Sequence, residues 1–340
     1  MTSWTGAGTD LAISVVPVFV FLVLLVFLDS YKLIPMRQTL RSIAVGCGVA
    51  VLCVGVHALG FRLSGGARRY YGGLGIPLTE ESLKGAYVFW MTRTGRVGFM
   101  VDGAIAGFAL GAGFSLIENI YYLRIIEGGT LLVWLLRGCG TAMMHGGTTA
   151  IVGILAAHFA SRRGGAGAPA LIPGLAVAVA IHSVYNFSPL PPPYSAALIL
   201  ALLPGVMALV FRSSERSLEE WLREGFDADI EMLDTIAKGG LAETHAGRYL
   251  ESLRRSFTPE VVADMFCLIQ LSLELAVRAK GDLLRREAGF ESPPDPEVKR
   301  KIDEMEYLRR NIGRAGLLAL EPLVAGSARD IWQLRLLGCQ

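Results

Sequence analysis

The chain carries little charge in its first 212 residues, which hold only seven Asp/Glu against 14 Lys/Arg. The five cysteines, at positions 47, 53, 139, 267 and 339, form no CxxC pair, so neither a zinc ribbon nor a thiol-redox site is indicated. No HExxH occurs, which removes the two-histidine helix of the common zinc peptidases. No GxGD accompanies a second membrane aspartate, so an aspartyl intramembrane site is unsupported. No basic run interleaved with aromatics points to nucleic acid. No repeat with a period of 20–50 residues is present.

What is abundant is apolar sequence. Of 340 residues, 52% are hydrophobic and the mean hydropathy is +0.47. The apolar residues collect in runs at 11–28, 43–61, 97–123, 131–160, 168–187 and 194–211. Each is close to the ~20 residues that cross about 30 Å of hydrocarbon. The first run has no basic segment before it and no small-residue cleavage site after it, so it reads as a retained span. Beyond position 212 the pattern changes to short amphipathic helices, and the charge turns from net +7 to net −5. The expected fold is all-α: a polytopic transmembrane helical bundle of about seven spans (residues 1–212), followed by a soluble helical domain (213–340). Arg93, Arg96, Arg162, Arg163 and the tail fit the cytoplasmic side, which places the protein in the cell membrane as a multi-pass protein with its C-terminal domain in the cytoplasm. The lipid bilayer is then its first partner, nucleic acid is not one, and the tail is free to hold a cytoplasmic partner.

Ionisable groups inside apolar segments are costly, about 2.5–3.5 kcal/mol each on insertion scales, and such groups read first as functional. Four sets stand out. Thr79 looks like an N-cap opening a helix that ends near Gly95, with Glu80 and Glu81 in its first turn and Lys84 one turn on. An acidic first turn also suits the helix dipole, so a structural reading stands beside one in which a carboxylate acts as general base on water. Lys84 would keep the two carboxylates from sharing a proton. Phe114, Glu118, Asn119 and Tyr122 lie on an otherwise apolar helix, where Glu118 either serves the site or reaches towards the interface. Asp102, at the far end of that helix, reads as structural. His145 lies between threonines and glycines that permit close helix approach. His182 and Asn186, spaced i and i+4, share a helix face and suit an oxyanion. His57 has no polar neighbour in sequence and reads, with His158, as a packing or interfacial residue, and His245 as exposed. Ser115 follows Gly113-Phe114, but Leu116 stands where a rhomboid serine motif has glycine, so a Ser–His dyad is the weaker reading. If the motifs form one site, the 79–95 helix must span, giving seven passes with the N-terminus outside.

In this order, Glu80-Glu81-x-x-Lys84, Phe114-x-x-x-Glu118-Asn119-x-x-Tyr122, His145-x-x-Thr148 and His182-x-x-x-Asn186 resemble the PrsW family of intramembrane proteases. That family is a relative of the CAAX prenyl proteases and bacteriocin-processing enzymes. The CAAX branch has Arg one position beyond the place of Lys84, which favours PrsW. The resemblance covers roughly residues 10–212 and implies a glutamate-dependent endopeptidase acting on membrane-anchored proteins, with an anti-sigma factor as the best-known type of substrate. It implies Glu80 as general base and Glu81 as its partner. His145 would bind or activate water, His182 and Asn186 would polarise the scissile carbonyl, and Glu118 would orient a histidine. A metal-free mechanism is the expectation; the alternative is zinc held by His145, His182, Glu80 and Glu118. A non-catalytic scaffold or receptor on the same bundle, and a CAAX-type prenyl-protein protease, are the competing functions.

Overall fold

The computed structural model describes residues 4–31, 33–126, 128–162, 167–187, 189–290, 295–323, 332–333 and 337. Outside them lie Cys339, residues 163–166 of a basic, glycine-rich stretch (161–167) that reads from sequence as a turn, and residues 291–294, which include the first prolines of a chain break that reads at 293–296. Among the described residues there are helices and no strands. The helices are α1 (Trp4–Leu28), α2 (Met36–Ser64), α3 (Arg68–Tyr70), α4 (Ile76–Arg93), α5 (Met100–Ile125), α6 (Leu131–Leu136), α7 (Met143–Arg162), α8 (Ile172–Phe187), α9 (Pro192–Ala237), α10 (His245–Leu253), α11 (Pro259–Glu287) and α12 (Pro296–Leu320). The chain divides into two compact units, Met1–Ser214 and Glu215–Gln340.

Among the described residues, six helical stretches are long and apolar enough to cross a membrane. One of these, Met36–Arg93, doubles back on itself. Residues 23 apart on a straight helix are about 35 Å apart, yet His57 Nε2 lies 3.0 Å from Glu80 Oε1. Ser42 on α2 also meets Met91 on α4. α2 and α4 are therefore antiparallel neighbours. The reversal is built from a 3-10 turn at Gly65–Ala67, α3 and a π-turn at Tyr71–Gly75.

Residues 62–76, rich in glycine and arginine and closed by Pro77, read from sequence as a loop, but the segment is helical, and α4 begins at Ile76 with Pro77 in its first turn. Thr79 is inside the helix, where its hydroxyl donates to the Gly75 carbonyl. In hydrocarbon the backbone has no water to bond, so even a glycine-rich stretch is driven to internal hydrogen bonding.

α5 is the central helix. Its most apolar stretch is 83% buried and that of 131–161 is 78% buried, whereas the other four stretches are 17–28% buried. On α1, Val16, Val20, Leu24 and Phe27 face outward, as do Val51 and Leu52 on α2; these are surfaces suited to lipid. What brings α5 close to α7 is a glycine face. Gly103, Gly107 and Gly111 recur every fourth residue, and a Cβ on each would land on the backbone carbonyls of Gly153, Thr149 and His145 respectively. Such small-residue faces let membrane helices meet backbone to backbone. Gly111→Val should therefore push α7 away at His145 itself. Overpacking of this kind costs about 1–3 kcal/mol, so both thermal stability in detergent and any activity should drop. Gly48→Val, on an exposed face with open space around it, is the control expected to change neither.

Asp102, buried at the start of α5, accepts hydrogen bonds from the Gly98 and Phe99 amides at 2.8 and 3.1 Å and so caps that helix.

In the second unit, Met265, Leu268, Leu275 and Ala279 of α11 pack with Met305, Leu308 and Ile312 of α12. Lys280, buried, pairs with Asp229 at 2.7 Å and lies over the Trp221 ring. Lys301 sits between Glu274 and Glu297, and its bond to Glu274 raises the ammonium pKa. The sequence beyond 212 reads as short amphipathic helices, among them 217–224 and 229–238, but the first and all except the last residue of the second are continuous within the 46-residue α9.

Candidate active site

Four helices bring the polar residues to one level: the N-terminal parts of α4 and α7 and the C-terminal parts of α5 and α8. This alternation is what an antiparallel arrangement gives to motifs that alternate between helix starts and helix ends. Glu80, Glu81, Lys84, His145 and His182 are each 5% exposed or less.

Glu81 is the most heavily bonded of them. Its Oε1 accepts from Lys84 Nζ at 2.6 Å, His182 Nδ1 at 2.8 Å and the Thr148 hydroxyl at 3.4 Å. Lys84 also lies 3.3 Å from His145 Nδ1 and 4.8 Å from the centre of the Phe114 ring. His145 Nε2 is 3.1 Å from Glu118 Oε2. The two imidazoles meet edge to face, 4.8 Å between centres, and Phe114 backs His145 at 4.9 Å.

These contacts fix both tautomers. A carboxylate only accepts, so each histidine donates from the nitrogen that faces one, Nδ1 of His182 and Nε2 of His145. The other nitrogen of each ring keeps a lone pair. Glu80 Oε2 lies near both, 3.9 Å from His145 Nδ1, to which Lys84 donates at 3.3 Å, and 4.0 Å from His182 Nε2. That oxygen is buried and has no hydrogen-bond partner among the described residues, and Glu81 Oε2 is in the same condition.

Buried polar atoms are ordinarily bonded, so an orphaned carboxylate oxygen facing two imidazole lone pairs marks a place for a cation. One ligand atom from each of Glu80, His145 and His182 lies within 4.8 Å of the others. Two nitrogens and one oxygen are a donor set that suits zinc, and each ring is braced from behind by a carboxylate, as metal-binding histidines usually are. The residues thus fit a metal ion. Lys84 is the ion's competitor for the His145 lone pair, and Glu81 gives the ammonium an alternative partner. Glu118 is placed behind His145 and not in the triad, which removes it from the four-ligand set considered from sequence.

Other expectations are changed by the geometry. His182 and Asn186 do share a face, but Asn186 is exposed and donates to the Gly72 carbonyl at 3.2 Å, while His182 is turned to Glu81. They do not stand together as an oxyanion pair. Ser115 donates to the Ala112 carbonyl, so the serine–histidine reading finds no bond to support it. His158 is half-buried and His245 exposed.

Three participants were missed. His57 bonds Glu80 as above, and its Nδ1 is 3.1 Å from the Tyr71 hydroxyl. Arg137, in the π-turn Arg137–Ala142, pairs with Glu118 at 3.3 Å, donates to Asn119 at 2.7 Å and stacks on Tyr122, 3.8 Å from the ring centre. Asn119 in turn donates to the Ser14 carbonyl of α1. A charged residue within an apolar run was the only signal for Arg137, and for Tyr71 there was none.

An apolar groove of about 420 Å³ lies against α7, α8 and α9 beside this cluster. Met144, Thr148, Ile181, Tyr185 and Leu203 are among the residues that line it. Thr148 belongs to both groove and cluster through its bond to Glu81.

Membrane-length helices around a buried carboxylate–imidazole cluster define a multi-pass membrane protein with a centre of the metallohydrolase type. Residues 34–212, a little more than half of the chain, match the family described as PrsW family intramembrane metalloprotease. The chain belongs to that family. All of the site residues named above except Ser14 fall within the match. The metal-free expectation is not supported, since the family is one of metalloproteases and the Glu80–His145–His182 triad suits an ion. No curated protein and no solved structure gives a significant match.

Proposed function

We propose that this chain is an intramembrane endopeptidase that hydrolyses a peptide bond of a membrane-anchored protein, with a metal ion, best zinc, held by Glu80, His145 and His182. The observation that carries the reading is the partnerless Glu80 Oε2 facing two imidazole lone pairs. A zinc ion bound there would polarise the scissile carbonyl and lower the pKa of water near it.

The chain's own residues have these roles. Glu118 and Glu81 orient His145 and His182 through Nε2 and Nδ1. Glu81 Oε2, buried and without a hydrogen bond among the described residues, is the carboxylate oxygen left to take a proton from the attacking water and return it to the leaving amine. Lys84, 2.6 Å from the other oxygen, holds Glu81 in place for that purpose. Arg137 holds Glu118 behind His145. The apolar groove offers its walls to the membrane segment of a substrate, with Thr148 marking where that segment would reach the carboxylates.

Counting α2 and α4 separately gives seven passes. With the second unit in the cytoplasm, the site then opens in the outer half of the bilayer.

The test is cleavage of a panel of single-span reporter proteins in reconstituted bilayers, with chelator and then with added zinc. Cleavage should cease in chelator and return with zinc. Cleavage that persists in chelator would overturn the ion and return the chemistry to Glu80 alone. Zinc binding with no reporter cut would turn the reading towards a scaffold.

A further inference from the structure

His57 belongs to none of the motifs that mark the site, yet it makes the hydrogen bond that anchors Glu80. Among the described residues, Glu80 Oε1 is bonded by His57 Nε2 at 3.0 Å and Oε2 by nothing. A carboxylate turns freely about its last bond unless one oxygen is tied. Tying Oε1 towards α2 leaves Oε2 directed at His145 and His182.

The donor is itself fixed. A neutral imidazole has one N–H and one lone pair, and the tautomer follows from the partner of the second nitrogen. The Tyr71 hydroxyl, 3.1 Å from Nδ1, donates to that nitrogen and so puts the proton on Nε2, where the carboxylate needs it.

Tyr71 is in turn seated in a built slot. Added Cβ atoms on Gly60 and on Gly75 would each overlap the Tyr71 side chain, the first at its hydroxyl, and Phe61 packs edge-on at 5.0 Å. The π-turn Tyr71–Gly75 that presents the ring is of a kind frequent at functional sites.

We infer that His57, with its tautomer set by Tyr71, is a positioning residue that orients Glu80 as an ion ligand. The inference rests on the reading of Glu80, His145 and His182 as the ion site. Outer partners of this kind typically change metal affinity or activity by about 10–100-fold when removed.

The experiment is a zinc titration of the purified full-length protein, alongside kcat and KM on a cleaved reporter. The variants are His57→Ala, His57→Gln, which keeps a donor near the position of Nε2, and Tyr71→Phe. Zinc affinity and kcat should each drop by about 10–100-fold in His57→Ala with KM unchanged. His57→Gln should recover most of both, and Tyr71→Phe should fall between. A purely structural role would lower the melting temperature without the rescue by Gln. Should His57→Ala not fold, Tyr71→Phe decides, because it removes a single hydroxyl: unchanged zinc affinity and kcat there overturn the inference. A wild type that binds no zinc overturns the ion site and this inference together. Wild-type binding with His57→Ala unaltered overturns only the inference.

Discussion

Glu80→Gln is expected to abolish cleavage, by about 10³-fold or more, while leaving the protein folded. The amide keeps a carbonyl oxygen able to accept from His57, so the 3.0 Å anchor has a substitute. Its amino group then faces the lone pairs of His145 and His182, where the carboxylate oxygen stood 3.9 and 4.0 Å away. A donor in that place occupies both nitrogens and removes one ligand, so zinc binding should vanish with the activity. A loss of 10³ corresponds to about 4 kcal/mol of transition-state stabilisation. The measurements are single-turnover cleavage and a zinc titration on the same preparation, with circular dichroism to establish folding. Cleavage at the wild-type rate would dismiss Glu80 from the chemistry.

Lys84→Met is expected to act first on stability. Lys84 and Glu81 are both fully buried and 2.6 Å apart. Deleting one partner of a buried ion pair typically costs about 3–5 kcal/mol, because the remaining charge is stranded. His182 and Thr148 still donate to Glu81, but neither is a permanent cation. The melting temperature in detergent should fall steeply. Adding Glu81→Gln to the same chain should recover part of the loss, since no charge is then left behind, and activity should stay absent because the proton acceptor is gone. A Lys84→Met protein as stable as wild type would mean that the pair contributes nothing to the fold.

The four motifs were legible because ionisable groups are rare in apolar helices, and assuming that they converge on one site was what required 79–95 to span. What the sequence could not convey was which groups touch. His57 and Glu80 are 23 positions apart, and only the reversal through Gly65–Gly75 brings them together. That reversal reads as a loop by the habits of soluble proteins, in which glycine-rich segments bond to water. Arg137 gives the same lesson at Glu118: an arginine near a span end suggests an interface anchor, and its pairing depends on the π-turn that redirects it. α5 is apolar on every side, so periodicity could not reveal that α7 and α2 both pack on it. The oxyanion reading of His182 and Asn186 followed correctly from spacing but could not anticipate that Glu81 and the Gly72 carbonyl would claim their donors.

The glycine face between α5 and α7 bears on how the centre responds to its host membrane. Helices adapt to thinner or thicker lipid by tilting. Because Gly103, Gly107 and Gly111 seat directly on the main chain of α7, these two helices tilt as a single beam, and the separation of Glu118 from His145 is carried along unchanged. α8, which brings His182, is seated on the same beam, since a Cβ on its Gly174 would land on the main chain of Val152 in α7; among the described residues the one helical glycine of α4, Gly85, meets side chains alone. Lipid thickness would therefore be read out as the distance of Glu80, on a helix that can lean, from the two imidazoles that the beam carries.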